Sequence, residues 1–237
     1  MFKTIYIIVI MFVFTISYSQ SAKADFEKLN KNYFTLTKLS YNTNYFLYIK
    51  NSSKPVETYN SVFKKNGNNF YSKNPDEEYL VNSKYIVFID HEDKDILIQK
   101  NSSKENPDVN KIMDNVQNIS MYVDTLMQMY SKVEPIIVKM PDTKAYRLYT
   151  IGGPYSKVEM FINTKTWLIN ELILYFNEKE EINGKEQEVN MKIQFTNYNT
   201  KPTFLNDFSE SKYLTNIKGV FKLKPNYLNY ELHDETN

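Results

Sequence analysis

Few side chains in this chain have the chemistry for catalysis or metal binding. His91 and His233 are the only histidines, and cysteine is absent. A zinc site made of several imidazoles or thiolates therefore lacks ligands, and a Ser-His-Asp arrangement would depend on one of these two rings. The sequence also has no glycine-rich phosphate-binding loop and no G-x-S-x-G turn. We expect no metal site, no cofactor and no enzymatic activity, and a hydrolase is the least favoured class of function.

Two acidic segments are candidates for carboxylate chemistry. The segment "DHEDKD", residues 90 to 95, holds four acidic side chains and could in principle bind Ca²⁺. It lacks the glycine and the final glutamate of an EF-hand loop, so a solvated hairpin tip is the favoured interpretation. The segment "NEKEE", residues 177 to 181, could supply the paired carboxylates of a glycosidase, but surface charge beside a turn is the simpler interpretation.

Two further side chains are unique in the chain. Arg147 is the single arginine, and its guanidinium could bind a carboxylate or a ligand phosphate, although a surface ion pair is the more common role. Trp167 is the single tryptophan, at the predicted start of a strand, where burial in the core is favoured over a position at the mouth of a ligand site.

The first residues indicate export from the cytoplasm. One lysine is followed by the apolar run "TIYIIVIMFVFTI" and by "SYSQ", whose small residues suit a signal peptidase. We expect a signal peptide at residues 1–19 and a mature chain, residues 20–237, that forms a single domain. The run is short for a transmembrane helix, and no lipobox cysteine follows it, so we expect a periplasmic or secreted protein without a membrane span; an uncleaved anchor is the alternative.

The mature chain is formally neutral and rich in aromatic residues. Loss of Lys3 reduces the 29 basic residues to 28, which equals the 28 acidic residues. A neutral chain is a poor ligand for nucleic acid or for an anionic membrane surface, and we expect it to bind neither of them. We also expect the protein to be a monomer. With 42% hydrophobic residues, 20 tyrosines and 15 phenylalanines, the chain must fold, and its composition favours sheet.

Most of the chain has the alternation of strands. Asn66-Gly67 and Asn183-Gly184 are hairpin turns, because both residue types accept positive φ. We count about nine to eleven strands joined mostly by tight turns, which predicts an α+β fold with an antiparallel sheet. Two segments have helical spacing instead, residues 22–38 and residues 107–131. In the first segment, one apolar stripe consists of Phe26, Leu29, Tyr33 and Leu36. For the second helix, packing of its apolar stripe on the sheet as core is favoured over a sensing role.

This order of elements resembles the LolA-like superfamily of periplasmic lipoprotein carriers. Residues 158–214 have the same succession of strand, Asn-containing turn, strand, glycine turn and strand. An N-x(n)-P-x-F-like segment follows, here Asn199, Pro202 and Phe204, with Phe208 beyond it. The richness in Tyr, Lys and Asn, together with "SYSQ", resembles an exported protein of a Bacteroidota-type bacterium.

The resemblance implies a strongly curved antiparallel sheet, an incomplete barrel, with helices covering its concave face. It also implies a non-enzymatic binding protein that holds an acyl chain, lipid or lipoprotein between sheet and helices, as a carrier does. Alternation selects the residues that would line this cavity: Leu47, Val87, Ile89, Ile98, Leu148, Met160, Ile162, Leu174, Ile193 and Phe195. The second helix would form the lid through Met113, Val116 and Val123. The alternative is a structural or protein-interaction component of the cell envelope, with a fully packed core and an envelope protein as partner.

Overall fold

The computed structural model describes residues 22–33, 35–101 and 130–236. The helix in this part of the chain, α1, comprises residues 22–33 and 35. Short 3₁₀ turns lie at Glu210–Lys212 and Pro225–Tyr227. The strands are β1 (Lys38–Ile49), β2 (Glu57–Asn66), β3 (Asn69–Lys73), β4 (Glu77–Val81), β5 (Tyr85–Asp90), β6 (Asp95–Lys100), β7 (Tyr130–Ile136), β8 (Thr143–Thr150), β9 (Tyr155–Asn163), β10 (Leu168–Phe176), β11 (Glu180–Ile182), β12 (Lys185–Gln187), β13 (Val189–Asn199), β14 (Leu214–Ile217), β15 (Val220–Leu223) and β16 (Glu231–Glu235).

Twelve of these strands form one large sheet. Their order is β16-β6-β5-β4-β3-β2-β1-β13-β10-β9-β8-β7, while β11 with β12 and β14 with β15 form two-stranded sheets. The pairings of β2 to β6 and of β7 to β10 with β13 are antiparallel, as the sequence predicts. Strand β16 is the exception, because it pairs with β6 in parallel. No helix in the described ranges is long and apolar enough to cross a membrane.

Three predictions about the elements need correction. The described residues form sixteen strands rather than nine to eleven, because the run after β10 divides at two turns and the C-terminal segment adds three short strands. Helix α1 stops at residue 35 instead of 38, since Lys38 already belongs to β1. Tyr130 and Ser131, predicted to end the second helix, belong to β7, and the rest of that helix lies outside the described residues.

The chain divides into two compact units. Among the described residues, unit 1 comprises 22–33, 35, 45–58 and 130–194, and unit 2 comprises 36–44, 59–101 and 195–236. Each unit has its own buried apolar side chains. They differ in what lies against the strands, which is the feature that matters for function.

In unit 1, helix α1 packs against strands β8 and β10. The predicted apolar stripe is confirmed for Phe26, Leu29 and Tyr33, all of which are buried. The ring of Phe26 lies 5.0 Å from that of Tyr146 in β8, and the Tyr33 hydroxyl accepts a hydrogen bond of 3.2 Å from the Ile169 amide in β10. This position of α1 identifies the side of these strands that faces the core.

In unit 2, the C-terminal segment, residues 200–236 after β13, packs against strands β3 to β6. Leu214 and Phe221, on facing strands of the hairpin β14–β15, are buried together with Tyr213. The residues of this cluster, which we call the unit 2 core, are Tyr71, Leu80, Val87, Ile89, Ile96, Ile98, Tyr213, Leu214 and Phe221. Six further hydrophobic side chains pack around it, so this side of the strands is covered by the protein itself.

Candidate functional site

The strands of unit 1 have two faces of opposite character. Side chains of residues paired across a sheet point to the same side, so the register assigns each residue to a face. The apolar face of unit 1, as we define it, consists of Tyr146, Leu148, Val158, Met160, Ile162, Ile169, Leu172, Leu174, Met191 and Ile193. The charged face includes Glu134, Arg147, Tyr149, Lys157, Glu159, Glu171, Tyr175 and Lys192, with Phe161 and Ile173 among them.

The apolar face contains two continuous rows of side chains across four strands. One row runs Leu148, Val158, Leu174, Met191, and the other runs Tyr146, Met160, Leu172, Ile193. The side chains on β8 and β9 in these rows are buried, but Leu172, Leu174 and Met191 are only half-buried. The apolar face is therefore covered at strands β8 and β9 and remains partly accessible at strands β10 and β13.

Five of the predicted cavity residues are brought together on this face. They are Leu148, Met160, Ile162, Leu174 and Ile193, and alternation in the sequence was sufficient to group them. Leu47, in β1, belongs to the same unit and is half-buried. Their contact with a ligand stays a prediction.

The remaining predicted cavity residues lie elsewhere. Val87, Ile89 and Ile98 belong to the unit 2 core, where each is completely buried. Phe195 is also in unit 2, with its ring 5.6 Å from that of Tyr41. A role for these four in ligand binding stays a prediction. The predicted lid residues Met113, Val116 and Val123 lie outside the described residues.

The charged face holds the unique arginine in an ion pair. Arg147 Nη2 lies 2.7 Å from Glu159 Oε1, and Arg147 Nε donates to the same oxygen at 2.8 Å. The hydrogen bond to Glu159 raises the pKa of Arg147 despite partial burial. The favoured interpretation of Arg147 as an ion-pair residue is therefore confirmed. On the same face, Lys157 Nζ lies 3.8 Å from the ring centroid of Tyr175.

A polar cavity of about 470 Å³ lies at one end of the strands of unit 1. Its wall contains Lys50 and Lys157 and also Ser156 and Val189. Ser156 and Val189 come two residues before Val158 and Met191 in their strands, on the apolar side, whereas Lys157 and Tyr175 of the same wall belong to the charged face. The cavity is therefore lined from both faces at the end of the strands. Apolar and polar surfaces thus lie side by side in unit 1.

Unit 2 holds a buried carboxylate that the sequence analysis did not single out. Glu78 is 3% exposed and accepts hydrogen bonds from the hydroxyls of Tyr71 at 2.8 Å and Tyr213 at 2.5 Å. Lys73 Nζ donates to its other oxygen at 2.6 Å, and His91 Nε2 lies 3.0 Å from that oxygen. A signal was present, because an acid two residues before Leu80 in a strand must share its apolar side.

The donors around Glu78 keep it ionised. Burial acts to raise the pKa of Glu78, but the hydrogen bonds from Lys73, Tyr213 and Tyr71 outweigh it and lower the pKa to about 2. Burial and the neighbouring carboxylate raise the pKa of both tyrosines. All of these donors bind the carboxylate of Glu78, so they hold Tyr213 against the strands. None of these side chains is left free to act as a nucleophile.

Trp167 differs in local structure from the sequence analysis, whereas the acidic segment forms the predicted hairpin tip between β5 and β6. Trp167 does not start a strand; it ends the turn before β10 with φ of 50°. Lys28 Nζ lies 4.8 Å from the centroid of its ring. In the "DHEDKD" segment, Asp90 Oδ1 accepts hydrogen bonds from the amides of Glu92 and Asp93, both at 2.9 Å, so this carboxylate serves to close the turn.

Comparison with known proteins finds similarity to several solved structures. No protein-family model and no curated protein matches the sequence. An uncharacterized conserved protein from Thermus thermophilus has 9% identity and a TM-score of 0.46, over 79% of this chain and 92% of that chain. The LolA superfamily protein NE2245 from Nitrosomonas europaea has 11% identity and a TM-score of 0.34, over 81% of this chain and 98% of that chain. LprF from Mycobacterium bovis has 12% identity and a TM-score of 0.43, over 80% and 98% of the respective chains.

A LolA superfamily protein is thus among the solved structures to which this chain is similar. The likeness concerns the fold, and it names no ligand for this chain.

Proposed function

We propose that the chain is an exported, non-enzymatic binding protein of the cell envelope that holds an acyl chain of a lipid or lipoprotein on the apolar face of unit 1. The observation that carries the proposal is the pair of apolar rows across β8, β9, β10 and β13, in which Leu172, Leu174 and Met191 are only half-buried. Apolar side chains that lie side by side and stay partly accessible favour binding of an apolar guest.

The adjoining polar cavity supports an amphipathic ligand. An acyl chain on the apolar row would end near Ser156 and Val189, where the cavity wall also contains the ammonium group of Lys50, which is paired with Glu188. The polar end of a lipid or lipoprotein needs such partners when the chain attached to it is removed from water. The resemblance to lipoprotein carriers in the sequence is a further reason to consider acyl chains. A more specific form of the proposal is that the protein carries the bound lipid or lipoprotein between membranes.

The test compares two substitutions in one strand. Leu174→Asp places a carboxylate on the apolar face, whereas Ile173→Asp places it on the opposite face, where Ile173 pairs with Glu159 and Lys192 and is also half-buried. Burial of one leucine side chain contributes about 1.5–3 kcal/mol, so Leu174→Asp is expected to weaken binding of N-phenyl-1-naphthylamine at least about 10-fold. Ile173→Asp is expected to bind the dye as the wild type does.

The measurement is dye fluorescence on variants whose circular dichroism spectra match the wild type. Native mass spectrometry of protein from the envelope fraction then identifies a bound lipid by its mass. A folded Leu174→Asp variant that binds the dye normally, or equal losses in both variants, would contradict the proposed face.

A protein-interaction role is the second candidate, and one observation favours it. Ile217 and Val220 are paired directly across the hairpin β14–β15 and are 49% and 57% exposed. Two apolar side chains at the tip of a hairpin suit contact with another protein. Protein that carries no lipid mass and takes up no dye, but elutes with a partner that Ile217→Asp releases, would establish this role instead.

A further inference from the structure

Strand β16 brings three metal-ligating side chains of unit 2 together. Asp95 begins β6, and Glu231, which begins β16, is its Cα partner in the parallel pairing. His233 follows two residues later on the same side of the strand. His233 Nε2 lies 3.6 Å from Asp95 Oδ1 and 4.0 Å from Glu231 Oε1, and one donor atom of each residue lies within 4.8 Å of the others.

We propose that Asp95, Glu231 and His233 bind a first-row divalent metal ion of the Zn²⁺ class. In a tetrahedral zinc site with bonds near 2.0–2.2 Å, neighbouring donor atoms are about 3.3 Å apart. The separations of 3.6 Å and 4.0 Å from His233 Nε2 to the two carboxylate oxygens therefore need to shorten by less than about 1 Å. The side chains are 44%, 75% and 46% exposed, so they can rotate this far, and water can occupy the remaining coordination position.

The donor set selects the kind of metal. An imidazole nitrogen with two carboxylate oxygens suits Zn²⁺ and similar ions, whereas Ca²⁺ and Mg²⁺ prefer ligands that are all oxygen. Neighbouring charges also favour a cation, because Asp90 is the Cα partner of Asp95, and Glu77 is the Cα partner of Asp90. Neither the composition nor the spacing along the chain indicates this site, since Asp95 precedes Glu231 by 136 residues and meets Glu231 and His233 only through the parallel pairing.

Metal binding here would hold the terminal strand in place. Two ligands belong to β16 and one to β6, so an ion that binds all three favours the paired state of these strands. This role does not depend on the proposed lipid site, which lies in unit 1.

The chain provides its own internal control, because it contains two histidines. Both ring nitrogens of His91 already have partners, Tyr230 at 2.8 Å and Glu78 at 3.0 Å. Titration of the full chain with ZnCl₂ at neutral pH, followed by proton NMR, is expected to shift or broaden the ring signals of His233 and to leave those of His91 unchanged. Unchanged signals from both rings, or an effect on His91 instead, would overturn the proposal.

A matched pair of variants tests the carboxylate. Asp95→Asn removes a ligand, and Asp93→Asn makes the same change in charge in the same turn without touching the site. Because even neighbours of metal ligands change affinity about 10–100-fold when mutated, Asp95→Asn and His233→Ala are each expected to weaken zinc binding at least about 10-fold, and Asp93→Asn is not. Equal affinity in all three variants, or equally tight binding of Ca²⁺, would overturn the assignment.

Discussion

At the scale of single residues, Glu78 shows how a buried charge can stabilise a fold. An isolated carboxylate with 3% exposure would be neutralised, but this one accepts hydrogen bonds from two tyrosine hydroxyls and from Lys73. One of these donors, Tyr213, belongs to the C-terminal segment. His91 joins the group to the same segment a second time, through Tyr230 at 2.8 Å. The charge therefore fastens the cover of the unit 2 core to the strands beneath it.

Replacing Glu78 with glutamine is expected to lower the free energy of unfolding at pH 7 by about 1.5–3 kcal/mol, because the carboxylate accepts hydrogen bonds from the buried hydroxyls of Tyr71 and Tyr213, and hydrogen bonds to charged groups contribute that much. The effect should depend on pH. The pKa of Glu78 is lowered from 4.5 to about 2 in the folded state, so its stabilisation is complete above pH 4.5 and is lost as the pH falls towards 2. Urea unfolding from pH 7 to pH 2 should show the wild type approaching the variant at the acid end.

Glu77→Gln is the control for this prediction, because Glu77 is adjacent in β4 but half-buried. It should change stability little at pH 7. A difference between wild type and Glu78→Gln that stays constant down to pH 2 would contradict the role given to the charge.

At the scale of elements, one aspartate on α1 determines where the helix meets the sheet. Asp25 is 2% exposed, and its Oδ2 accepts hydrogen bonds of 2.5 Å from Lys144 Nζ and from the Tyr146 hydroxyl, both in β8. At the other end of the helix, Asn32 Nδ2 donates to the carbonyl of Thr166 at 2.9 Å, in the turn before β10. Polar contacts at both ends fix the direction of α1, while Phe26, Leu29 and Tyr33 supply the buried apolar area.

The variant Asp25→Asn keeps the shape of this contact and removes its charge. We expect a loss of about 1.5–3 kcal/mol in stability, since hydrogen bonds to charged groups contribute that much. Urea unfolding followed by the fluorescence of Trp167 measures it, because this single tryptophan lies in the turn that α1 contacts.

Glu27→Gln on the exposed side of the same helix serves as comparison. Glu27 forms a long, exposed ion pair of 4.0 Å with Lys23. The substitution should therefore change stability by less than about 0.5 kcal/mol. Equal effects of the two substitutions would show that Asp25 does not anchor the helix.

The sequence allows the local elements of this fold to be predicted, but not its long-range contacts. Alternation assigned Leu148, Met160, Ile162, Leu174 and Ile193 to one face, because the period of a strand is a local property. Asn183-Gly184 formed the expected turn, with φ of 54° and 71°, although it joins the short strands β11 and β12 rather than two long ones.

The contacts that the sequence could not reveal join residues far apart in the chain. Glu78 and Tyr213 are separated by 135 positions, and β16 pairs with β6 across a similar distance. Neither contact produces a periodic pattern, so the cover of the unit 2 core could not be predicted from the sequence. For the same reason Val87, Ile89 and Ile98 could be assigned to an apolar face, but not to the segment that packs on it.

At the scale of the whole molecule, the two units differ in how completely the apolar side of their strands is covered. In unit 2, the C-terminal segment buries that side completely at Leu80, Val87, Ile89, Ile96 and Ile98. In unit 1, α1 covers the apolar face only in part, and half-buried side chains remain on β10 and β13. If the chain holds an acyl chain, the physical expectation is that binding occurs in unit 1, because a ligand in unit 2 would have to displace packed side chains.

Hydrogen exchange with mass spectrometry can locate the ligand without any mutation. Addition of palmitate to the full chain is expected to slow amide exchange in peptides from β9, β10 and β13, because a bound chain excludes water from their apolar side and stabilises this part of the sheet. Peptides from β3 to β6 should exchange at the same rate with and without palmitate. Slowing confined to β3 to β6 would mean that Val87, Ile89 and Ile98 contact the ligand and that the C-terminal segment moves aside. Unchanged exchange throughout, under conditions in which palmitate is shown to bind, would place the ligand away from both apolar faces and would contradict the proposed site.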